Sequence, residues 1–358
     1  REPETLEFLS RLAKRLARRE LREMWRVREL STGHERAQQV TLDFKGAWAG
    51  TSTGNLIRIW DLRSGTCIRG LTGHRSEVLK LEFWEEGIGF GASPLLFSFG
   101  ADRTVRLWNP NSGDCLQQLV VSEERVVAAG ISQQVRRFAV VDETGKLVVG
   151  EWKDQDPFEL EILAQCDCDG VPRSVALSGD GRYVVVSDDR SRVYSLDAES
   201  KNLKMVGEFA GGLGHSLSSG RAYLGARQDG NLELYHLGSR KPVGEFPEAP
   251  ARMICLTATA DGGVVATLDA NDTLRFWLVD PKLCVLERRL GVGLRKAVFS
   301  GNGRYLAGVG EQGQVIIWEL EWQLDPNTPR TALVVDPEPE PEESGFWSRL
   351  KRKFGLSG

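Results

Sequence analysis

His74, Ser98 and Asp102 are the three residue types of a hydrolase triad. In such a triad the histidine activates the serine hydroxyl and the carboxylate orients the histidine. No Gly-x-Ser-x-Gly nucleophile elbow surrounds Ser98. All three residues also occupy positions of an internal repeat described below, so their pattern favours a structural role over hydrolysis.

Cys166 and Cys168 form the closest pair among the six cysteines. Structural zinc sites combine two such pairs, or one pair with histidines, and no second pair or histidine lies nearby. We therefore predict no metal and no cofactor. The cysteines also follow no disulfide framework, which predicts a reducing, cytoplasmic location.

An internal repeat of about forty residues organises the chain. Its clearest copy is a strand-like segment that ends in Trp-Asp, residues 55–61 (NLIRIWD), and residues 104–109 (TVRLWN) repeat the pattern. Seven aromatic residues mark the end of this segment, at spacings of 41 to 48 residues. They are Trp60, Trp108, Trp152, Tyr194, Tyr235, Trp277 and Trp318. A fixed period of this length is typical of β-propellers.

With this period and the Trp-Asp ending, the chain resembles the WD-repeat family over residues 25–325. The resemblance implies an all-β fold, a seven-bladed WD-repeat β-propeller. It also implies a structural hydrogen-bonded tetrad in the second blade, formed by His74, Ser98, Asp102 and Trp108. The position six residues before the aromatic is aspartate in blades two, four and five only, and blade two carries the most complete family pattern, so we expect the complete tetrad only there.

The N-terminal region is predicted to hold a helix and then a strand that closes the ring. Residues 25–34 (WRVRELSTGH) resemble 66–74 (TCIRGLTGH), an outer strand, and we expect them to pair with the last blade near residues 314–318. Residues 1–24 precede them, with apolar residues at helical spacing from Leu6 to Leu16. We predict an amphipathic helix there, packed on the propeller or on an upstream domain.

The C-terminal region is predicted to be a disordered tail with one binding segment. Residues 326–345 form an acidic, proline-rich linker, and residues 346–358 form a basic amphipathic segment. This segment has three alternative roles: lying on an anionic membrane, docking in the groove of a partner, or folding back on the propeller. Its candidate binding residues are Phe346, Trp347, Arg349, Leu350, Lys351, Arg352, Lys353 and Phe354.

Composition narrows the classes of function. The chain has 358 residues and a formal net charge of −4, so we expect no nucleic-acid partner. It has no run of eighteen apolar residues that predicts a membrane-spanning helix. It begins at Arg1, and we expect it to be a piece of a longer polypeptide.

The function that these patterns favour is a non-catalytic scaffold that binds protein partners. The hairpins at residues 178–183 and 300–305 and the exit segment 319–322 resemble bacterial WD-repeat modules, which stand at the C-terminal end of multidomain signalling proteins. The alternative is a propeller that binds a ligand or hydrolyses a substrate in its central channel. On propeller geometry, the candidate partner-binding residues of the top face are Arg75, Glu124, Arg125, Arg173, Arg252 and Arg295.

Overall fold

The computed structural model describes residues 16–32, 36–84, 94–132, 135–153, 159–210, 213–216, 222–226, 231–246 and 252–329. Every helix or strand assigned within these ranges is a β-strand. The first fourteen strands are β1 (Leu16–Leu30), β2 (Gln39–Leu42), β3 (Trp48–Thr53), β4 (Leu56–Asp61), β5 (Thr66–Leu71), β6 (Val78–Trp84), β7 (Leu95–Gly100), β8 (Thr104–Trp108), β9 (Cys115–Val120), β10 (Val126–Ile131), β11 (Arg137–Asp142), β12 (Lys146–Lys153), β13 (Glu159–Asp167) and β14 (Ser174–Leu177). The remaining strands are β15 (Tyr183–Ser187), β16 (Arg190–Asp197), β17 (Asn202–Ala210), β18 (Leu213–Ser216), β19 (Ala222–Ala226), β20 (Leu232–His236), β21 (Lys241–Phe246), β22 (Met253–Ala258), β23 (Val264–Asp269), β24 (Thr273–Leu278), β25 (Leu283–Arg289), β26 (Leu294–Phe299), β27 (Tyr305–Gly310) and β28 (Val315–Pro329).

The strands form seven antiparallel four-stranded sheets, which are the blades of a propeller. Blades one to six follow chain order, from β2-β3-β4-β5 to β22-β23-β24-β25. The innermost strand of each blade contacts the innermost strands of both neighbours, and β2 contacts β26. The ring is therefore closed, and the prediction of an all-β, seven-bladed propeller is confirmed.

A bulge recurs where the marker aromatic meets the outer strand. In blade one Ile59 pairs with Arg69 but Trp60 pairs with Cys67, so Ile68 is an extra residue on β5. The register also shifts immediately before Trp108, Tyr194, Tyr235 and Trp277. A bulge bends and twists the strand that carries it. The repeat thus includes a geometric irregularity as well as a sequence pattern.

Blade seven is closed by the N-terminal strand, as predicted. Its order is β1-β28-β27-β26, and Arg26 pairs with Trp318 while Leu30 pairs with Val315. Val27 is the extra residue of the bulge, in the position that Ile68 has in blade one. β1 is therefore an outer strand like the others, supplied from the opposite end of the chain.

The predicted N-terminal helix is wrong for residues 16–24, which belong to β1. The ladder between β1 and β28 shifts register four times, including the steps from Arg18 to Glu20 and from Leu21 to Glu23. These two steps each insert one residue into β1, so the buried side chains Arg18, Leu21 and Met24 recur every three residues instead of every two. This spacing imitates a helix. Residues 1–15 lie outside the described residues.

The hydrophobic core lies between neighbouring blades. Phe97 of blade two contacts Trp152 of blade three with ring centroids 4.5 Å apart. Leu21 and Met24 of β1 are buried in a cluster with Phe276 of blade six. The N-terminal strand therefore joins blade seven to blade six as well as closing the ring.

The predicted linker begins inside β28, which runs to Pro329. The rest of the linker and the whole segment 346–358 lie outside the described residues. The domain boundaries otherwise stay predictions. In the described part of the chain, no helix has the length and apolar character needed to cross a membrane.

Candidate functional site

The structure brings His74, Ser98, Asp102 and Trp108 together in blade two. Nε2 of His74 lies 2.7 Å from Oγ of Ser98, and the indole N–H of Trp108 donates to the same oxygen at 2.8 Å. Nδ1 of His74 lies 3.0 Å from both carboxylate oxygens of Asp102. His74 comes from the loop before β6, Ser98 from β7, and Asp102 from the turn before β8, so the four side chains tie the strands of one blade to its loops.

The hydrogen bonds define the protonation state of His74. The ionised carboxylate of Asp102 can only accept, so the ring proton of His74 lies on Nδ1 and faces Asp102. Nε2 then accepts the hydroxyl proton of Ser98, whose oxygen accepts the indole proton of Trp108. Burial lowers the pKa of His74, although the Asp102 carboxylate opposes this effect. His74 is therefore neutral at neutral pH.

The carboxylate of Asp102 is saturated with donors. Burial opposes its charge, but hydrogen bonds from the Arg75 amide at 2.7 Å and the Thr104 hydroxyl at 2.7 Å, with the bond from His74, outweigh burial. The pKa of Asp102 is consequently below its usual value. Ser98 is completely buried and its oxygen accepts the indole proton. A substrate cannot reach this hydroxyl, so the arrangement fits a structural network rather than a hydrolase triad.

Two other blades keep part of this network. The indole of Trp60 donates to Thr51 at 2.8 Å, and that of Trp277 donates to Thr267 at 3.0 Å. The indole nitrogen of Trp152 is buried and has no hydrogen-bond partner among the described residues. The sequence analysis did not identify the two threonines, although each lies nine or ten residues before its tryptophan, as Ser98 does.

Blade three replaces the histidine–aspartate pair with a different pair. Ser122 lies four residues before its inner strand, as His74 does, and its hydroxyl donates to Asp142 at 2.5 Å. Asp142 also accepts the amides of Thr144 and Lys146 at 3.0 Å. This carboxylate stands at the end of the second strand, four residues before the position where the sequence analysis looked for it.

All six predicted top-face residues are exposed at one end of the propeller. Five of them lie in the loops that join an outer strand to the next inner strand, and Arg295 is the second residue of β26. The guanidinium of Arg125 pairs with Glu77 of the preceding loop. The six residues come from the inner-strand ends of five different blades, so the structure arranges them around the channel opening and does not gather them into one cluster.

The central channel has a charged side that the sequence analysis missed. Lys80 and Glu82 of β6 form an ion pair at 3.2 Å, and Lys296 of β26 donates to the amide oxygen of Gln39 on β2. These inner strands are consecutive in the ring. Burial and the charge of Lys80 lower the pKa of Lys296 to about 8. Only propeller closure brings these residues together, since Gln39 and Lys296 lie at opposite ends of the sequence.

No metal centre or tail site can be described. Within the described ranges, no three His, Cys, Asp or Glu side chains are grouped so that they could hold a metal ion. The eight predicted tail residues from Phe346 to Phe354 lie outside those ranges.

Comparison with known proteins identifies the repeat. Residues 65–109 match the family model "WD domain, G-beta repeat", from the outer strand of blade one to the residue after Trp108. The chain carries a WD repeat within a seven-bladed propeller. The matched segment contains all four members of the blade-two network, and blade two keeps the network in full.

Three proteins illustrate the similarity. Autophagy-related protein 16 of Arabidopsis thaliana is 25% identical over 258 residues, which cover 69% of this chain and 48% of that protein. Apoptotic protease-activating factor 1 of Danio rerio is 36% identical over 89 residues, 25% of this chain and 7% of that protein. The F-box/WD repeat-containing protein sel-10 of Caenorhabditis elegans is 36% identical over 64 residues, 18% of this chain and 10% of that protein. The chain thus spans less than half the length of these relatives.

Proposed function

We propose that this chain is a non-catalytic scaffold that binds protein partners through the loop end of the propeller that carries Arg75, Glu124, Arg125, Arg173, Arg252 and Arg295. The observation that carries the proposal is the placement of these six exposed charged side chains around one opening of a closed ring. WD-repeat propellers offer broad loop surfaces of this kind. The buried blade-two network supports this view, because it holds the Ser98 hydroxyl away from solvent in a structural hydrogen bond.

Charge reversal tests this surface. We would compare affinity capture by the wild-type chain with capture by a triple variant, Arg75→Glu, Arg173→Glu and Arg252→Glu. The matched control is Lys45→Glu, Arg63→Glu and Arg182→Glu, which makes the same charge change in exposed residues of loops at the opposite end. We expect the first variant to lose the partners that the wild type and the control retain. Equal recovery by all three would contradict the proposal.

We also propose that the module stands at the C-terminal end of a longer bacterial signalling or regulatory protein in the cytoplasm. The hairpins at residues 178–183 and 300–305 and the exit segment 319–322 support this context by resemblance. An antibody against the propeller should detect, in the cytoplasmic fraction of the source cell, a polypeptide larger than the 358-residue chain. A band of the size of this chain, or one in another fraction, would contradict this part.

The C-terminal segment 346–358 stays a separate prediction. If it docks on anionic membranes, the full chain should pellet with phosphatidylserine vesicles and a chain ending at residue 345 should not. Equal pelleting of the two chains would exclude a membrane role for this segment and leave the scaffold proposal unaffected.

A further inference from the structure

A small cavity opens at the rim of blade two, beside the buried network. Its volume is about 250 Å³, and three arginines line it: Arg75, Arg103 and Arg106. The hydroxyl of Thr104 and the side-chain amide of Gln118 also line it. These residues come from the loop before β6, the turn before β8, and the strands β8 and β9, so one blade supplies the whole cavity.

Arg106 is the deepest of the three cations. Arg106 is 9% exposed, and its guanidinium carbon lies 5.8 Å from the ring centre of Trp108. Its Nε lies 3.4 Å from Oγ1 of Thr104, and the thiol of Cys115 is a further neighbour. A Cβ at position 73 would lie 2.5 Å from Nη1 of Arg106, so Gly73 is the residue that permits this position of the guanidinium.

The positive charge of the cavity is only partly balanced by the described residues. None of the three guanidinium groups forms an ion pair with a carboxylate in the described ranges, and Arg103 donates only to the backbone oxygen of Glu123, at 2.9 Å. Asp102 also lines the cavity and its ionised carboxylate offsets one of the three positive charges, while its two oxygens already accept bonds from His74, Arg75 and Thr104. A buried cation without a counter-charge is costly, and a bound anion removes that cost.

We propose that this cavity binds a phosphate-type oxyanion, either free inorganic phosphate or the phosphate group of a phosphorylated side chain. Arginine presents a planar fork of donors that matches phosphate oxygens, and three arginines can contact different oxygens of one tetrahedral group. The side-chain amide of Gln118 supplies an uncharged donor at the wall, whereas the Thr104 hydroxyl already donates to Asp102. Arg75 is one of the top-face residues, so the phosphorylated-partner form of this inference rests on the proposed scaffold function.

Binding can be measured directly by titrating the folded chain with inorganic phosphate in calorimetry. We expect Arg106→Gln to weaken phosphate binding by about tenfold or more, because it removes charge-assisted hydrogen bonds. Arg75→Gln is a second variant that keeps the fold, because this exposed side chain does not pack on Trp108, and it should weaken binding several-fold. The matched control is Arg289→Gln, an exposed arginine of blade six with the same loss of charge, which should bind like the wild type.

A second arm distinguishes the two sources of the phosphate group. We would titrate a short peptide containing phosphoserine and the same peptide with serine. Tighter binding of the phosphopeptide than of inorganic phosphate, lost in Arg106→Gln, identifies a phosphorylated partner. Equal binding of the two phosphate probes identifies a site for free phosphate.

The outcomes separate this inference from the scaffold proposal. If neither phosphate probe binds, or if all the arginine variants bind like the wild type, the phosphate site is excluded, while partner capture through the top face is untouched. If phosphate binds with the expected variant effects but top-face charge reversal leaves partner capture unchanged, the phosphate site stands and the scaffold proposal fails.

Discussion

Ser98 is the residue on which the blade-two network depends, because its single oxygen bonds both Trp108 and His74. Ser98→Ala leaves the buried indole N–H without an acceptor and the histidine without a donor. We expect the free energy of unfolding to fall by about 1–3 kcal/mol. Urea unfolding at neutral pH measures it, with Ser112→Ala, at an exposed turn, as the control. A loss no larger than that of the control would contradict the structural role.

His74 makes the stability depend on pH. Its pKa in the folded state is lower than its ordinary value of 6.5, so the unfolded chain binds its proton first as the pH falls. The contribution of neutral His74 to the free energy of unfolding is fully present above pH 6.5 and declines as the pH falls toward the folded-state pKa. His74→Gln should be less stable at neutral pH and should lose part of this decline. Unfolding curves from about pH 7 to about pH 5 test it. An identical slope in the variant would show that other groups cause the decline.

Lys296 is expected to destabilise the propeller at neutral pH. Its folded-state pKa of about 8 is below the ordinary 10.5, so its cost is present below pH 8 and disappears as the pH rises to 10.5. Lys296→Met should raise the free energy of unfolding by about 1–2 kcal/mol at neutral pH and have little effect near pH 10.5. Denaturant midpoints at the two pH values measure the difference. A variant that is less stable at neutral pH would indicate that the bond to Gln39 matters more.

Sequence and structure agree at the residue scale where a residue follows the repeat. Trp108, Asp102 and His74 stand at repeat positions of one blade, so the resemblance to the WD-repeat family predicted which residues meet. Lys80 and Lys296 are different, because they approach each other only when the ring closes across β2. The sequence analysis missed Ser122 and Asp142 because both differ from the blade-two pattern. Ser122 replaces the histidine, and its partner carboxylate stands at the end of the second strand instead of in the following turn.

At the scale of elements, β1 and β28 form a ribbon that continues past the blade and covers the loops of blades six and seven. Arg18 is the main contact: it donates to Asp261 at 2.7 Å and to the backbone oxygen of Asn302 at 3.0 Å, and its guanidinium lies over Trp322. The indole of Trp322 donates to the backbone of Gly303 at 2.9 Å. One buried cation therefore binds both blades to the ribbon.

Arg18→Ala should release this ribbon while the blades stay folded. We expect faster amide hydrogen exchange in residues 16–24 and 320–329, together with a loss of about 1–3 kcal/mol of stability. Arg19→Ala is the control, because Arg19 is the exposed neighbour of Arg18 in the same strand. Exchange that is unchanged in Arg18→Ala, or equally fast in the control, would exclude the contact as the cause.

The ribbon also explains why the helix prediction failed. Buried and exposed side chains alternate along a strand only while the paired strands stay in register. The four register shifts between β1 and β28 remove that alternation. Buried side chains every three residues then fit either a helix or a bulged strand, so their spacing does not distinguish the two. The pairing prediction for residues 25–34 succeeded because it compared that segment with another outer strand rather than with a periodicity.

At the scale of the whole molecule, the closed ring depends on one strand supplied from the N-terminal region. Without β1 the edge of β28 would expose unpaired backbone groups, and the side chains that Leu21 and Met24 cover in blade six would meet water. We therefore expect a chain that starts at residue 31 to melt at a lower temperature and to associate through this edge.

A synthetic peptide of residues 16–32, added to that shortened chain, should pair with β28 and restore the monomer. The melting temperature should rise with the peptide concentration, because a ligand that binds the folded state stabilises it by mass action. A peptide of the same composition in reverse order is the control. Light scattering measures association and calorimetry the melting temperature. A shortened chain as stable and monomeric as the full chain would show that the contacts among the inner strands suffice to close the ring.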